Sequence, residues 1–384
     1  MKIGIVTFWQ TRDNYGQMLQ CFALQQSLKM LGHTPYLIRY LHSEHKNPWQ
    51  DQLAHFLHMF FLLRWNHLFL RRKRLPDLSD KEKLRDFESF KETFLEKSEY
   101  IYSSLSELKN NPPKADCYIV GSDQVWSKSL SVIENQVFFL NFGSKKIRRI
   151  SYAASFSMIR YPKKNLQVLK KMLNNFEAVS VREMTGVEIC KKIDVSSKLV
   201  ADPSILITGD DYRQVFKLNN DKKQQIFIYS VNISTPEEIR WDNVKEMAKN
   251  KRLNITVTPS SGYIPGNEIF GKYVTYEYCK IPEWLDNIAN SEFVITTSFH
   301  GIVFCLLFHT PFIYVPLKGK YSRGNNRVID LLAYLGIDGH ILNDGINFET
   351  LASTSFDWKE IDYKINKFRD ISMLFLTGAL EYEK

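Results

Sequence analysis

The chain has 384 residues, 44% hydrophobic and 24% charged, a globular composition that excludes a disordered or low-complexity protein. That length exceeds one ordinary hydrophobic core and fits two domains. Lys and Arg outnumber Asp and Glu by 51 to 42, a net +9 that suits an anionic small substrate, an anionic membrane surface or nucleic acid, without choosing among them.

Lys2–Phe8 reads as a first parallel strand, so the chain enters a strand directly and no signal peptide is expected. Trp9–Gly16 (WQTRDNYG) is a polar, aromatic loop; Gln17–Leu31 is a predicted helix with Gly32 just past its end, and Thr34–Tyr40 a second strand. This βαβ order puts Asn14, Tyr15 and Gly16 on the ligand-facing edge. Leu53–Arg74 reads as a long apolar helix with a basic end. It is either a core helix with a solvated tail or a peripheral contact for anionic lipid through Arg71, Arg72, Lys73 and Arg74. Asp80–Glu96 is predicted as one charged helix with Phe87, Phe90 and Phe94 turned to the core.

Ala115–Val120 is a buried strand ending in Gly121-Ser122-Asp123-Gln124-Val125-Trp126. Asp123 at a strand's carboxyl end is a general-base candidate; as a plain alternative it is a turn or capping residue. Arg148–Ala154 and Ala178–Val181 read as two more strands. Arg182 follows the second and is placed to grip a carboxylate or phosphate bidentately, or else to pair with Glu183 or another acid. Leu199–Leu206 closes the half, with Asp202-Pro203 breaking a strand.

The polar stretch 208–225 reads as a linker. Beyond it come a strand Ile226–Val231, a helix Pro236–Asn250, a strand Asn254–Thr258 and a helix Pro282–Asn290. The segment Glu292–Pro316 (EFVITTSFHGIVFCLLFHTPFIYVP) organises this half. Phe293–Thr296 is a buried strand, Thr297-Ser298 a hydroxyl-rich turn, Phe299–His309 a short apolar helix, and Phe312–Val315 the next strand. His300 therefore stands at a helix start past a strand's carboxyl end, where unpaired N–H groups and the helix dipole favour an anion. The alternative is a polar cap on a buried βαβ unit. Val328–Leu335 and a terminal helix, Trp358–Glu381, complete the chain.

Common chemistries are missing. Gly266–Lys272 imitates a P-loop, but Tyr273 stands where Ser or Thr would hold magnesium. No dinucleotide fingerprint, H-E-x-x-H, G-x-S-x-G elbow or aromatic–basic RNA platform occurs, and His42 with His45 lacks further zinc ligands. The five cysteines, Cys21, Cys117, Cys190, Cys279 and Cys305, are scattered and odd in number, which fits buried reduced thiols and a cytoplasmic location.

Several blocks then coincide in order: Asn14-Tyr15-Gly16 with Leu19-Gln20 and Ala23-Leu24; Gly121–Trp126; Ser151–Ser155; Val179–Glu183; Ala201-Asp202-Pro203; and Thr297–Gly301. The series resembles the polysaccharide pyruvyl transferase family from about residue 2 to 340. The resemblance implies an α/β fold of two Rossmann-like domains facing across a cleft, similar to GT-B glycosyltransferases. The expected division is 1–207 on the acceptor side with a helical insertion at 51–97, 208–356 on the donor side, and 357–384 as a helix packing back on the first domain. It also implies phosphoenolpyruvate as co-substrate and a sugar acceptor, lipid-linked or polymeric, joined as a cyclic ketal, with no cofactor, metal or nucleic acid. By the same resemblance Arg182 and His300 hold the donor, joined by the helix start at Ser298, Phe299 and Gly301; family members often carry a cation where this chain has Phe299, so contacts from that position come from its backbone and Arg327 supplies the replacement cation. Asp123 and His300 are the implied catalytic pair, with Asp13 and Asp202 competing as the base; Asn14, Tyr15, Gln20 and Trp126 are the expected acceptor contacts. The competing readings are a GT-B glycosyltransferase with a nucleotide-sugar donor and a non-catalytic glycan- or anion-binding protein.

Overall fold

The computed structural model describes residues 1–41, 78–127, 134–259 and 268–381. Five parallel strands, β1 (Lys2–Val6), β2 (Thr34–Tyr40), β3 (Lys97–Tyr102), β4 (Cys117–Val120) and β5 (Arg148–Ser151), form a first sheet in the order β3-β2-β1-β4-β5. A short pair, β6 (Ser180–Val181) with β7 (Lys198–Leu199), lies beside it through single bridges from Ile150 to Ala178 and from Ala154 to Val181. A second parallel sheet contains β8 (Lys223–Tyr229), β9 (Asn254–Val257), β10 (Thr275–Tyr276), β11 (Ser291–Thr296) and β12 (Phe312–Tyr314), in the order β10-β9-β8-β11-β12. Strands covered on both faces need apolar residues at consecutive positions, which is why Ile226–Ile228 and Val294–Ile295 are fully buried.

Each strand order reverses once, between β1 and β4 in the first sheet and between β8 and β11 in the second. Loops leaving neighbouring strands diverge at such a point and open a crevice at the strands' carboxyl ends. Asn14 follows β1, Asp123 follows β4 and His300 follows β11, so the candidate residues flank these two crevices.

One aromatic core runs through both halves. Tyr15 of the first half stacks on Trp284 of the second with centroids 4.9 Å apart, and Phe22 lies 5.1 Å from Phe216. Tyr212 stands edge-on to Phe304 at 4.9 Å. Such pairs add about 0.5–1.5 kcal/mol each beyond the area they bury. The helix Trp358–Leu380 then returns to the first half, where Leu376, Ala379 and Leu380 pack with Ile3, Ile5 and Leu24. No helix among the described residues is long and apolar enough to cross a membrane.

Three local readings change. The charged helix over 80–96 is two, Asp80–Arg85 and Phe87–Phe94, broken where Asp86 turns left-handed at φ 49°. Pro236–Asn250 is likewise split at Arg240, φ 54°, and the second piece is Trp241–Lys251. The strand expected over 199–206 is only β7, because Asp202 caps a short helix, Pro203–Leu206, by accepting from Ser204 N at 3.0 Å. The apolar helix predicted over 53–74 lies outside the described residues.

Candidate active site

Gly121 lets the chain turn tightly out of β4, and its added Cβ would stand 3.2 Å from Thr7 Cβ. Asp123 then adopts φ 80°, a conformation rare for a residue with a side chain and characteristic of sites where geometry is imposed by function. Its backbone is fixed by Val125 N and Ser155 N, which both donate to its carbonyl, at 2.8 and 3.0 Å. The carboxylate lies between two guanidiniums, with Oδ1 3.8 Å from Arg182 Nη2 and 3.9 Å from Arg327 Nη1.

Arg182 leaves the end of β6 and is buried. Nη1 donates to Asp202 Oδ2 at 2.6 Å and to Ser122 Oγ at 3.1 Å. Nε and Nη2, which form the side edge of the guanidinium, have no hydrogen-bond partner among the described residues. Burial opposes the Arg182 charge, but Asp202, Asp123 and Glu183 outweigh it and hold its pKa above the ordinary value. A buried arginine with its bidentate edge open is a built acceptor for a carboxylate or phosphate.

Asp202 sits beneath this arginine. Its Oδ2 also accepts from Ser122 Oγ at 2.7 Å, and its Oδ1 lies 3.6 Å from His300 Nε2. Burial alone would raise this carboxyl, yet His300 and Arg182 hold it well below the usual carboxylate range. The Asp202 side chain is wholly buried, and both of its oxygens accept hydrogen bonds from the protein, whereas Asp123 keeps some exposure. Arg182 pairs with Asp202, while Glu183 turns the other way: its Oε1 accepts from Ser155 Oγ and Phe156 N, each at 2.9 Å. Glu183 Oε2 is buried without a hydrogen-bond partner among the described residues, and burial pushes this carboxyl up.

The second half supplies a helix start. Ser298 caps Phe299–Phe308 by accepting from Gly301 N at 3.3 Å, and Thr296 Oγ1 accepts from Ser298 N at 3.0 Å. The first N–H groups of such a helix lack intrahelical partners and face the crevice with the positive end of the dipole. Two guanidiniums lie over the Phe299 ring, Arg182 at 4.8 Å and Arg327 at 5.6 Å from its centroid. Phe299 thus meets the two arginines through its ring. Arg327 opens the helix Asn326–Leu335; burial and the neighbouring Arg182 lower its pKa. With its amide oxygen turned inward, Gln124 accepts from both Nη atoms of Arg327 at 3.3 Å and from Ser157 Oγ at 3.2 Å.

His300 meets the first half directly. A Cβ on Gly16 would stand 2.0 Å from His300 Nδ1, so the imidazole rests on the bare backbone of Gly16. The motif Asn14-Tyr15-Gly16 pointed to this place, but nothing in the sequence said that its glycine was the contact. Asn14 caps the helix Tyr15–Met30 by accepting from Gln17 N at 3.2 Å.

Four expected ligand contacts are corrected. Tyr15 is wholly buried and its hydroxyl donates to Cys279 O at 2.6 Å, so it joins the halves and offers no surface to a sugar. Trp126 is wholly buried with Nε1 donating to Phe138 O at 3.1 Å. Gln20, also buried, donates to Thr7 Oγ1 at 3.1 Å; Thr7 in turn donates to Ser122 O, so Gln20 braces the Asp123 loop. Gly301 has its N–H committed to Ser298, and a Cβ there would stand 2.5 Å from Thr296 Oγ1, so it serves close packing.

A family model described as polysaccharide pyruvyl transferase matches residues 14–318. No curated protein sequence matches the chain. Among solved structures, the chain is similar to the S. aureus MnaA–UDP co-structure, with TM-score 0.51 and 12% identity over 97% of this chain and 90% of that one. It is also similar to UDP-GlcNAc 2-epimerase from Neisseria meningitidis bound to UDP-GlcNAc, with TM-score 0.47 and 11% identity over 99% of each chain. A third likeness is UDP-GlcNAc 2-epimerase from Methanocaldococcus jannaschii in complex with UDP-GlcNAc and UDP, with TM-score 0.48 and 12% identity over 98% of this chain and all of that one. At such identities the likeness concerns the fold, which is the GT-B-like pairing of two Rossmann-like domains.

Proposed function

Because the chain belongs to the polysaccharide pyruvyl transferase family, we propose that it transfers the pyruvyl group of phosphoenolpyruvate to two hydroxyls of a sugar, forming a cyclic ketal in a cell-surface polysaccharide or its lipid-linked precursor. The observation that carries this reading is the buried open edge of Arg182, set beside Arg327 and the helix start that holds His300. Phosphoenolpyruvate presents a carboxylate and a phosphate on the same carbon. Two guanidiniums over one aromatic ring, with oriented N–H groups beside them, match that pair of charges.

The chemistry begins with a proton delivered to the methylene carbon of the donor, leaving an oxocarbenium-like centre at C2. One sugar hydroxyl adds to C2 and gives its proton to Asp123; the C2–O bond to phosphate breaks, and the second hydroxyl closes the ketal. Of the two hydroxyl protons, one balances the new methyl group and the other leaves on inorganic phosphate. His300 is assigned the donated proton and neutralisation of the departing phosphate.

Incubation with phosphoenolpyruvate and candidate glycan or lipid-linked acceptors, followed by phosphate release, tests the reading. Acceptor-dependent release is expected, and it should fall at least tenfold in His300→Ala, which corresponds to about 1.4 kcal/mol of barrier. Thermal stabilisation by uridine diphosphate but not by phosphoenolpyruvate would instead favour the glycosyltransferase reading.

A further inference from the structure

We infer that Asp202 is a positioning residue that fixes His300 in the tautomer carrying its proton on Nε2, leaving Nδ1 as the nitrogen that takes up, and then gives up, the proton His300 delivers. The inference rests on the proposed function for what the histidine does, but its geometry stands apart from that reading.

The two ring nitrogens occupy different surroundings. Nε2 is buried and has no hydrogen-bond partner among the described residues; a carboxylate oxygen, Asp202 Oδ1, is 3.6 Å away. Nδ1 lies over Gly16, where the missing side chain is what gives the ring room. A neutral imidazole donates through one nitrogen and accepts through the other. A nitrogen facing an ionised carboxylate in a dry pocket carries the hydrogen, because a lone pair there would meet negative charge with no compensation.

Asp202 is itself immobile. Ser122 Oγ and Arg182 Nη1 both donate to Oδ2, at 2.7 and 2.6 Å, and Ser204 N donates to Oδ1 at 3.0 Å. One carboxylate therefore holds the arginine of the first half and aims the histidine of the second. It sets the relative position of a guanidinium and an imidazole that belong to different halves. Among the described residues Asp202 is the one carboxylate that makes an ion-pair contact with the His300 ring. Asp202 is the group that decides the tautomer.

The test is the nitrogen-15 spectrum of histidine-labelled full-length protein, with His300→Gln used to assign the His300 signals. The expected result is the Nε2–H tautomer in the wild-type protein and a shift towards Nδ1–H in Asp202→Asn, where the amide donates to Nε2. Acceptor-dependent phosphate release should fall about hundredfold or more in Asp202→Asn. Phosphoenolpyruvate affinity should change less than about fivefold, because the Asn oxygen still accepts from Arg182. A residue that was merely structural would alter both alike and leave the tautomer unchanged. Wild-type protein in the Nδ1–H form overturns the inference without any variant, as does Asp202→Asn that keeps more than a tenth of the transfer rate. If the tautomer is as expected and no pyruvyl transfer occurs, the proposed function fails and the positioning role stands.

Discussion

The two crevices that face each other are made of opposite materials. The first-half crevice is polar and contorted: Asp123, Ala153 and Ser157 all take positive φ, at 80°, 53° and 50°, and Asp123, Asp202 and Glu183 bring three carboxyl groups. The second-half crevice is a regular helix start on an almost wholly apolar helix, Phe299–Phe308, with its polarity confined to the Thr296–Ser298 turn, His300 and the nearby Arg327. Positions of the first kind cost about 1–3 kcal/mol each and persist only where surrounding hydrogen bonds enforce them. The contrast teaches a division of labour in which one half shapes the charge pattern and the other gives a rigid platform to press it against.

The sharpest way to break that arrangement is at the contact between the two. Gly16→Ala should reduce transfer at least about hundredfold, because its methyl would occupy the place of the imidazole. Gly378→Ala, where an added Cβ meets nothing within 4 Å, should leave transfer unchanged. Steady-state rates for both variants check the claim, and equal losses in the two would sink it.

Next is the arginine edge. Arg182→Lys keeps a charge but loses the bidentate edge, so the apparent donor KM should rise about thirtyfold with a smaller effect on kcat. Arg327, less buried, should give a rise of about fivefold as Arg327→Lys. If the order of the two is reversed, the donor is held chiefly by the second half.

The third prediction concerns acid. The folded Asp202 carboxyl is held below its ordinary value, so its stabilising contribution is complete above the unfolded aspartate pKa of about 4 and fades as pH falls below that. Asp202→Asn should be less stable than wild type by about 3 kcal/mol at pH 7. The deficit should shrink towards pH 2. Chemical denaturation at several pH values measures it; a deficit independent of pH would show that the charge is not what Asp202 contributes.

The smallest effect is a negative one. All five thiols are buried, and burial pushes Cys21, Cys117 and Cys279 up to about 12 and Cys190 to about 11. Native protein at pH 8 should therefore react with less than one equivalent of a thiol reagent, and denatured protein with five.

Much of this was legible in the sequence, for physical reasons that differ by region. Parallel strands buried on both faces must be continuous apolar runs, so β1, β4, β8 and β11 announced themselves, and with them the strand-to-helix turns that carry Asn14, Asp123 and His300. Helix breaks were harder to see: Asp86 and Arg240 reverse their backbones without a glycine or proline to mark the place. The acceptor assignments failed at Tyr15, Gln20 and Trp126 because an aromatic or amide beside a site motif looks the same whether it faces a ligand or braces the loop. In the sequence Asp202 reads as a strand break beside its proline or as a competing base; its hold on Arg182 across 20 residues leaves no local trace.

The aromatic seam joining the halves has a consequence for how the molecule comes apart. Tyr15 against Trp284 and Phe22 against Phe216 merge one face of each sheet into a shared interior, and the last helix ties the end of the chain to its beginning. Severing the gene between the two sheets should therefore give two insoluble fragments. The intact chain should melt in one cooperative step, with substrate reaching the crevice through motions of the surrounding loops and not by the halves swinging apart.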